Sequence, residues 1–219
     1  MIRPLILLAT LTLPLPGLAE TQATDAQNIT PADVPRGQDD YHAAAAGQYR
    51  LDPMHTAVLA RVPHMNFSIS VLRFDDVRAT LDWNPEDPAA SKLEATVQME
   101  SISTPVPGFT DYLYSPDYLN TAEYPQASFT STAFQADSNT HGTVTGDLTI
   151  MGQTHPASFD VTLIGAGRGY AGDEQGNPFI TDLIGMSAVT TIDPQAYELN
   201  PFFTDPIQIS IDAEFGVHP

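Results

Sequence analysis

The sequence predicts an all-β fold, an antiparallel sandwich or barrel of about eight strands, and two patterns support this. In residues 92–100 every odd-numbered side chain is apolar and every even-numbered one is polar, and residues 207–215 repeat the alternation. A period of two is typical of a strand with one buried and one wet face. Turn-forming pairs such as Asn84-Pro85 and Met151-Gly152 separate the runs at short intervals, which favours antiparallel neighbours.

The apolar positions of the alternating runs define a predicted inward face. Eight strands are about the number at which a closed barrel can enclose one small ligand. The same side chains could equally pack together as a filled core, because alternation alone does not distinguish a core from a cavity. The inward set from the strands is Leu81, Trp83, Leu93, Val97, Met99, Phe129, Val144 and Leu148.

One long connection interrupts the strands. Residues 103–126 contain four prolines, four tyrosines and Phe109, without alternation. A short helix is expected within residues 111–119, ending near Ser115 because the residue before a proline avoids helical geometry. A connection of this length in a compact domain is usually functional. We expect it to be a lid over one open end of the sheet.

The chain divides into three predicted regions. Residues 1–19 resemble an export signal, with Arg3, an apolar run at 5–13 and small residues before a cleavage point after Ala19. That run is too short to span a bilayer, and no later segment is apolar enough to do so. Residues 20–48 have almost no large apolar side chains, which predicts a disordered linker. The folded domain is expected at residues 49–217.

Composition argues against several classes of function. The chain has 8 basic and 27 acidic residues, a net charge of −19, and loss of Arg3 with the leader would make it −20. Such a charge disfavours nucleic-acid binding. The absence of cysteine excludes disulfides and thiolate chemistry. The six histidines have no metal-ligand spacing and no nucleophile motif occurs, so we expect no catalytic residue, metal or cofactor.

Several motifs together resemble the YceI-like family of lipocalin-like periplasmic proteins. The similar blocks lie at residues 49–56, 62–68, 91–104, 113–119, 124–129 and 146–156, and His64 falls on the family's V-x-H position. The resemblance extends from about residue 49 to 215. It implies an eight-stranded antiparallel lipocalin-like barrel with an elongated apolar pore, whose members are associated with binding polyisoprenoid chains or quinone tails in the bacterial periplasm.

The resemblance also implies a ligand site. It would combine the inward apolar residues with His64 and the lid aromatics, giving His64, Phe67, Leu81, Trp83, Val97, Met99, Tyr112, Leu113, Tyr118, Leu119, Phe129, Leu148 and Met186. The chain departs from the family pattern at residues 109–112, which lack the usual Arg and His of the lid, and at Asp193-Pro194, which replaces an Asn-Arg segment. Head-group contacts made by those groups would be lost.

The sequence therefore favours an exported, non-enzymatic protein that carries or sequesters a long apolar ligand, polyisoprenoid or quinone-like, in its barrel. The alternative is an acidic interaction or structural module with a filled barrel, and a hydrolase or isomerase on this scaffold is a third hypothesis. A homodimer is compatible with the sequence, whereas nucleic acid and stable membrane insertion are not expected.

Overall fold

The computed structural model describes residues 30, 33–172 and 176–217. The predicted signal peptide, most of residues 20–32 and residues 173–175 lie outside the described residues. Among the described residues, one α-helix, α1 (Phe109–Tyr114), and several 3-10 turns accompany the strands. The strands in chain order are β1 (Gly47–Leu51), β2 (Ala57–His64), β3 (Ser68–Phe74), β4 (Val77–Trp83), β5 (Lys92–Gln98), β6 (Ile102–Ser103), β7 (Gln126–Ala136), β8 (His141–Ile150), β9 (Gln153–Gly172), β10 (Pro178–Ile192) and β11 (Ile207–Gly216).

These strands form a closed antiparallel barrel with eight strand positions around its circumference, here called staves. This architecture confirms the predicted fold class. Three staves are interrupted strands: β1 continues into β2, β3 into β4, and β5 into β6, and each pair occupies one position in the sheet. Thus β4 pairs with β1 while β3 pairs with β2, and β5 pairs with β4 while β6 pairs with β3. The remaining staves β7 to β11 follow in chain order, and β11 closes the barrel by pairing with β1 and β2.

The interior follows from the alternation. Leu81 of β4 lies opposite Tyr49 on one side and Leu93 on the other, and Phe129 of β7 lies opposite Leu148 of β8. Leu81 and Tyr49 are buried in one apolar layer, and Phe129 and Leu148 in a second layer farther along the barrel axis. Burial of these side chains supplies the main favourable free energy of a chain that has no disulfide to stabilise it.

One end of the barrel is covered by the predicted lid. Leu113 of α1 is only 4% exposed and packs with Ile102 and Leu199 in the second layer. The lid is fastened to the β10–β11 connection, because the Asn200 side-chain amide donates to the Asp117 carbonyl at 2.6 Å. The helix begins earlier than expected and ends, as predicted, before Ser115. We call this the lid end.

The opposite end is crossed by residues 37–46, hereafter the strap. Gln38 and Ala166 of β9 exchange two backbone hydrogen bonds, at 2.9 and 3.0 Å. The Tyr41 amide donates to the Asn139 carbonyl in the β7–β8 turn at 3.2 Å, and Ala44 is completely buried. The strap is therefore ordered, and the prediction of a disordered linker is wrong for these residues.

The strap is attached to the barrel mainly through its backbone, which explains why the sequence predicted disorder for it. A composition rule counts large apolar side chains, whereas the strap uses main-chain hydrogen bonds and small residues that permit close approach. A Cβ on Gly37 would lie 2.9 Å from the Cα of Gly165, so the two backbones touch. The Tyr49 hydroxyl adds a hydrogen bond to the Ala45 carbonyl at 2.6 Å. The ordered unit thus begins before residue 49.

Gly146 gives a test of the barrel packing. A Cβ at this position of β8 would lie 2.3 Å from the Thr130 carbonyl oxygen and 2.5 Å from the Phe129 ring. We expect Gly146→Ala to lower the free energy of unfolding by about 1–3 kcal/mol, the usual cost of overpacking. Gly47→Ala is the control, because no atom lies within 4 Å of its Cβ position. If Gly146→Ala and the unsubstituted chain had equal free energies of unfolding in chemical denaturation, this packing would be contradicted.

Candidate functional site

The barrel encloses a cavity of about 260 Å³ with a wall that is almost entirely carbon. It extends between the two apolar layers, and all eight closing staves contribute side chains to its wall. Seven of the thirteen residues predicted for the ligand site lie in the wall: Leu81, Trp83, Val97, Met99, Phe129, Leu148 and Met186. Of the two alternatives that the alternation allowed, a filled core and a cavity, the structure therefore has the cavity.

The other six predicted residues do not line the cavity. His64 and Phe67 belong to the β2–β3 hairpin, which extends beyond the last pairing of β2 with β11 at Arg61. Phe67 is 86% exposed there. The remaining four lie in the lid, where Leu113, Tyr118 and Leu119 pack in the second apolar layer and Tyr112 is exposed on the outer surface.

Polar wall residues cluster at the strap end. Ser138, Asn139 and Thr140 of the β7–β8 turn and His141, the first residue of β8, border the cavity beside Tyr41 of the strap. At the lid end the wall includes Met99, which follows β5, and Ile150 of β8, whereas the lid side chains do not border the cavity and pack with the strands in the second apolar layer. Residues with polar side chains thus border the cavity mainly at the strap end, although the surface that they present to it is almost entirely carbon.

Trp83 lies between the apolar part of the wall and the polar residues at the strap end. It ends β4 at the strap end, and the ring of Tyr41 meets its ring edge-on, with centroids 5.8 Å apart and an interplanar angle of 85°. Its indole Nε1 is buried and has no hydrogen-bond partner among the described residues. An unsatisfied buried donor costs about 1–3 kcal/mol. The alternation predicts an inward position for the Trp83 ring. No sequence pattern, however, indicates that its indole N–H lacks a hydrogen-bond partner.

Outside the cavity, Asp52, His55 and Glu214 form a cluster that sequence reasoning missed, because Glu214 is remote along the chain. His55 Nδ1 lies 2.7 Å from Asp52 Oδ2 and 3.7 Å from Glu214 Oε1. One imidazole nitrogen and one oxygen from each carboxylate are near enough to one another to bind the same cation. In this structure the three side chains form an ion-pair network. It bridges the break between β1 and β2 and the facing strand β11, so its role here is to support barrel closure.

The cluster makes stability depend on pH. The hydrogen bond to Asp52, with the charge of Asp52 and Glu214, raises the pKa of His55, whereas burial raises the pKa of Glu214. A histidine with a raised folded-state pKa stabilises the fold fully below its unfolded pKa of about 6.5 and loses that contribution as pH rises through the folded pKa.

We therefore expect His55→Gln to lower the melting temperature more at pH 5.5 than at pH 8.5. The His55 side chain is 63% exposed, so the effect should stay within the about 0.2–1 kcal/mol of exposed ion pairs. His64→Gln, a change at an exposed histidine on the hairpin, serves as control. An equal decrease in the melting temperature at both pH values would contradict the ion-pair network.

The strap can be tested through Trp83, because it is the single tryptophan of the chain. Tyr41→Ala removes the ring that covers it, so we expect red-shifted emission and stronger acrylamide quenching. Tyr112→Ala, a change at the lid end, should leave both unchanged. Unaltered quenching in Tyr41→Ala would show that this ring does not shield Trp83.

Comparison with known proteins agrees with the architecture. The profile of the YceI-like domain matches residues 49–215. The Escherichia coli protein YceI is 37% identical over 127 residues, which cover 57% of this chain and 66% of that protein, just under two thirds of its length. Within the residues that the structure describes, no helix has the length and apolar character needed to span a membrane.

Solved structures share the fold. BcnA of Burkholderia cenocepacia superimposes with a TM-score of 0.62 at 21% identity, covering 75% of this chain and 98% of that one. A polyisoprenoid binding domain from Saccharophagus degradans, implicated in plant cell wall breakdown, gives a TM-score of 0.56 at 12% identity over 80% of this chain and all of its own. At these identities the likeness concerns the fold, and it is the sequence match over residues 49–215 that places this chain in the YceI-like domain family.

Proposed function

We propose that the protein is an exported lipid-binding protein that carries or sequesters a long apolar ligand, polyisoprenoid or quinone-like, in its barrel. The observation that carries the proposal is the cavity inside the barrel, whose wall is almost entirely carbon. Each Å² of apolar ligand surface moved from water into such a wall contributes about 25 cal/mol. A hydrocarbon chain needs no polar partner, which suits this interior.

The size of the cavity bears on the ligand. At about 260 Å³ it lies just below the roughly 300–1,000 Å³ of typical ligand pockets. It therefore suits part of a long chain, and a complete polyisoprenoid requires the lid or the strap to move. An interior space with a cover over each end is what a carrier needs to keep such a chain out of water between loading and release.

The wall residues also argue for a non-catalytic role. Among the described wall residues there is no carboxylate, lysine or arginine, and the one histidine, His141, lies at the strap end. General acid–base catalysis needs a titratable group within hydrogen-bond reach of the reacting atom. The apolar portion of the cavity offers none.

Two further points support the location and the ligand class. The leader-like residues 1–19 indicate export, and together with the family membership they make the periplasm the proposed location. The Saccharophagus degradans domain of the same fold is described as polyisoprenoid-binding. The alternative, an acidic interaction module, would need a filled barrel, and the cavity argues against it.

Native mass spectrometry of the full chain, secreted into a bacterial periplasm and purified without detergent, tests the function. We expect a mass excess of several hundred daltons that organic solvent extracts, the mass of an apolar ligand that is longer than the cavity. The same spectrum distinguishes a monomer from the homodimer that the sequence allows. A ligand-free mass that persists after incubation with quinones and polyprenols would contradict the carrier function.

Blocking the cavity gives a second test. Val97→Trp and Leu148→Trp place a bulky ring in the wall, and we expect each to abolish binding of a fluorescent apolar dye while circular dichroism remains that of the folded barrel. Glu94→Trp is the matched control, since Glu94 is exposed on the outer face of the same strand as Val97. Undiminished binding in folded Val97→Trp and Leu148→Trp would show that ligands do not enter the barrel.

A further inference from the structure

The barrel contains one buried polar group that has no hydrogen-bond partner among the described residues. Trp83 Nε1 is the only buried side-chain nitrogen or oxygen among the described residues without a hydrogen-bond partner. Buried polar groups in folded proteins are almost always paired, so an exception calls for an explanation. Here the group belongs to a residue of the cavity wall, where a bound molecule could supply the partner.

The chemistry of the indole restricts that partner. Indole Nε1–H donates a hydrogen bond and cannot accept one, so the ligand must offer an acceptor. Its surroundings restrict the partner further. The described wall contains no lysine or arginine to neutralise an anion, and its one histidine, His141, is exposed and has its Nδ1 2.9 Å from the Thr140 hydroxyl. A charge buried without a counter-charge is strongly unfavourable. The acceptor is therefore uncharged: a ketone or quinone carbonyl, an amide or an ether oxygen.

The position of Trp83 fixes the orientation of the ligand. The polar wall residues Ser138 to His141, in the β7–β8 turn and at the start of β8, border the same end of the cavity. Toward the lid the wall consists mainly of apolar side chains such as Met99, Phe129 and Ile150, with Ser128 among them. A molecule with a polar end and an apolar chain is matched to this wall only with its polar end beneath the strap.

We infer that the ligand carries an uncharged hydrogen-bond acceptor at one end, that this end lies beneath the strap and accepts a hydrogen bond from Trp83 Nε1–H, and that its apolar chain points toward the lid. The inference rests on the proposed carrier function and adds the chemical class and the direction of the ligand. Trp83 is then the residue that selects such ligands over plain hydrocarbons. The ring of Tyr41, which meets Trp83 edge-on, must shift to admit the acceptor.

A matched pair of ligands tests the hydrogen bond directly. Decan-2-one and decane have the same chain length and differ in one carbonyl. Because Trp83 is the single tryptophan, ¹⁵N-labelled protein gives one indole N–H signal in a proton–nitrogen correlation spectrum. We expect decan-2-one to move the proton of this signal downfield, as a new hydrogen bond requires, and decane at saturation to leave it close to its position in the free protein.

Trp83→Phe supplies the binding measurement, since it keeps an aromatic ring and removes the N–H. Displacement of N-phenyl-1-naphthylamine gives the affinity for each ligand in each variant. We expect the ratio of the decan-2-one affinity to the decane affinity to fall by roughly 3- to 10-fold in Trp83→Phe, the loss of one neutral hydrogen bond. Met99→Leu, a volume-conserving change at the lid end, should alter both affinities alike and leave the ratio intact. Decanoate should bind the wild-type protein more weakly than decan-2-one.

The outcomes separate this inference from the function on which it rests. Binding of both ligands with an unchanged ratio in Trp83→Phe, or the same indole signal with both, would overturn the role of Trp83 and leave the carrier function standing. Tighter binding of decanoate than of decan-2-one would overturn the uncharged class. Failure of every apolar ligand to bind the wild-type chain would overturn the carrier function and this inference with it.

Discussion

Closure of the sheet at β11 is the constraint on which the rest of the molecule depends. Leu51 of β1 pairs with Phe215, and the Asp52 amide donates to the Glu214 carbonyl at 2.8 Å. Beyond the break in this stave, β2 pairs with the other half of β11. Because closure pairs both edges of the sheet, every strand acquires an inside and an outside. The alternating sequence can then direct apolar side chains to a common interior, and the Asp52, His55 and Glu214 cluster lies where that closure is interrupted.

The two ends of the barrel are sealed by different kinds of interaction. At the lid end buried side chains, including Leu113, Tyr197 and Leu199, form a continuous apolar layer with the strands. At the strap end the cover is a single chain segment attached mainly by backbone hydrogen bonds at Gln38 and Tyr41. Segments with few buried apolar contacts open at lower free-energy cost than packed layers. Ligand exchange is therefore easier to reconcile with movement of the strap than with movement of the lid.

The sequence predicted the wall well because a period of two assigns every residue of a strand to one face. Leu81, Trp83 and Val97 follow from that rule alone. It could not predict where the barrel ends, since the hairpin of β2 and β3 continues beyond the rim, and His64 and Phe67 therefore lie outside. The strap was missed because its ordering comes from main-chain contacts such as Gly37 against Gly165. Those contacts depend on the closed barrel, which no local pattern contains.

The alternation that creates the cavity also determines its electrostatics. Glu94, Asp147, Asp160 and Asp212 are exposed on strands whose neighbouring residues line the cavity. Acidic residues outnumber basic ones 27 to 8 in the whole chain, so the outer surface carries excess negative charge while the described wall carries no carboxylate, lysine or arginine. An anion inside would lack a counter-charge and would also be repelled by the surrounding negative charges, which water screens less in a buried site than at the surface. A neutral acceptor experiences neither penalty, and a donor with no charge of its own, such as an indole N–H, is the group that can recognise it there.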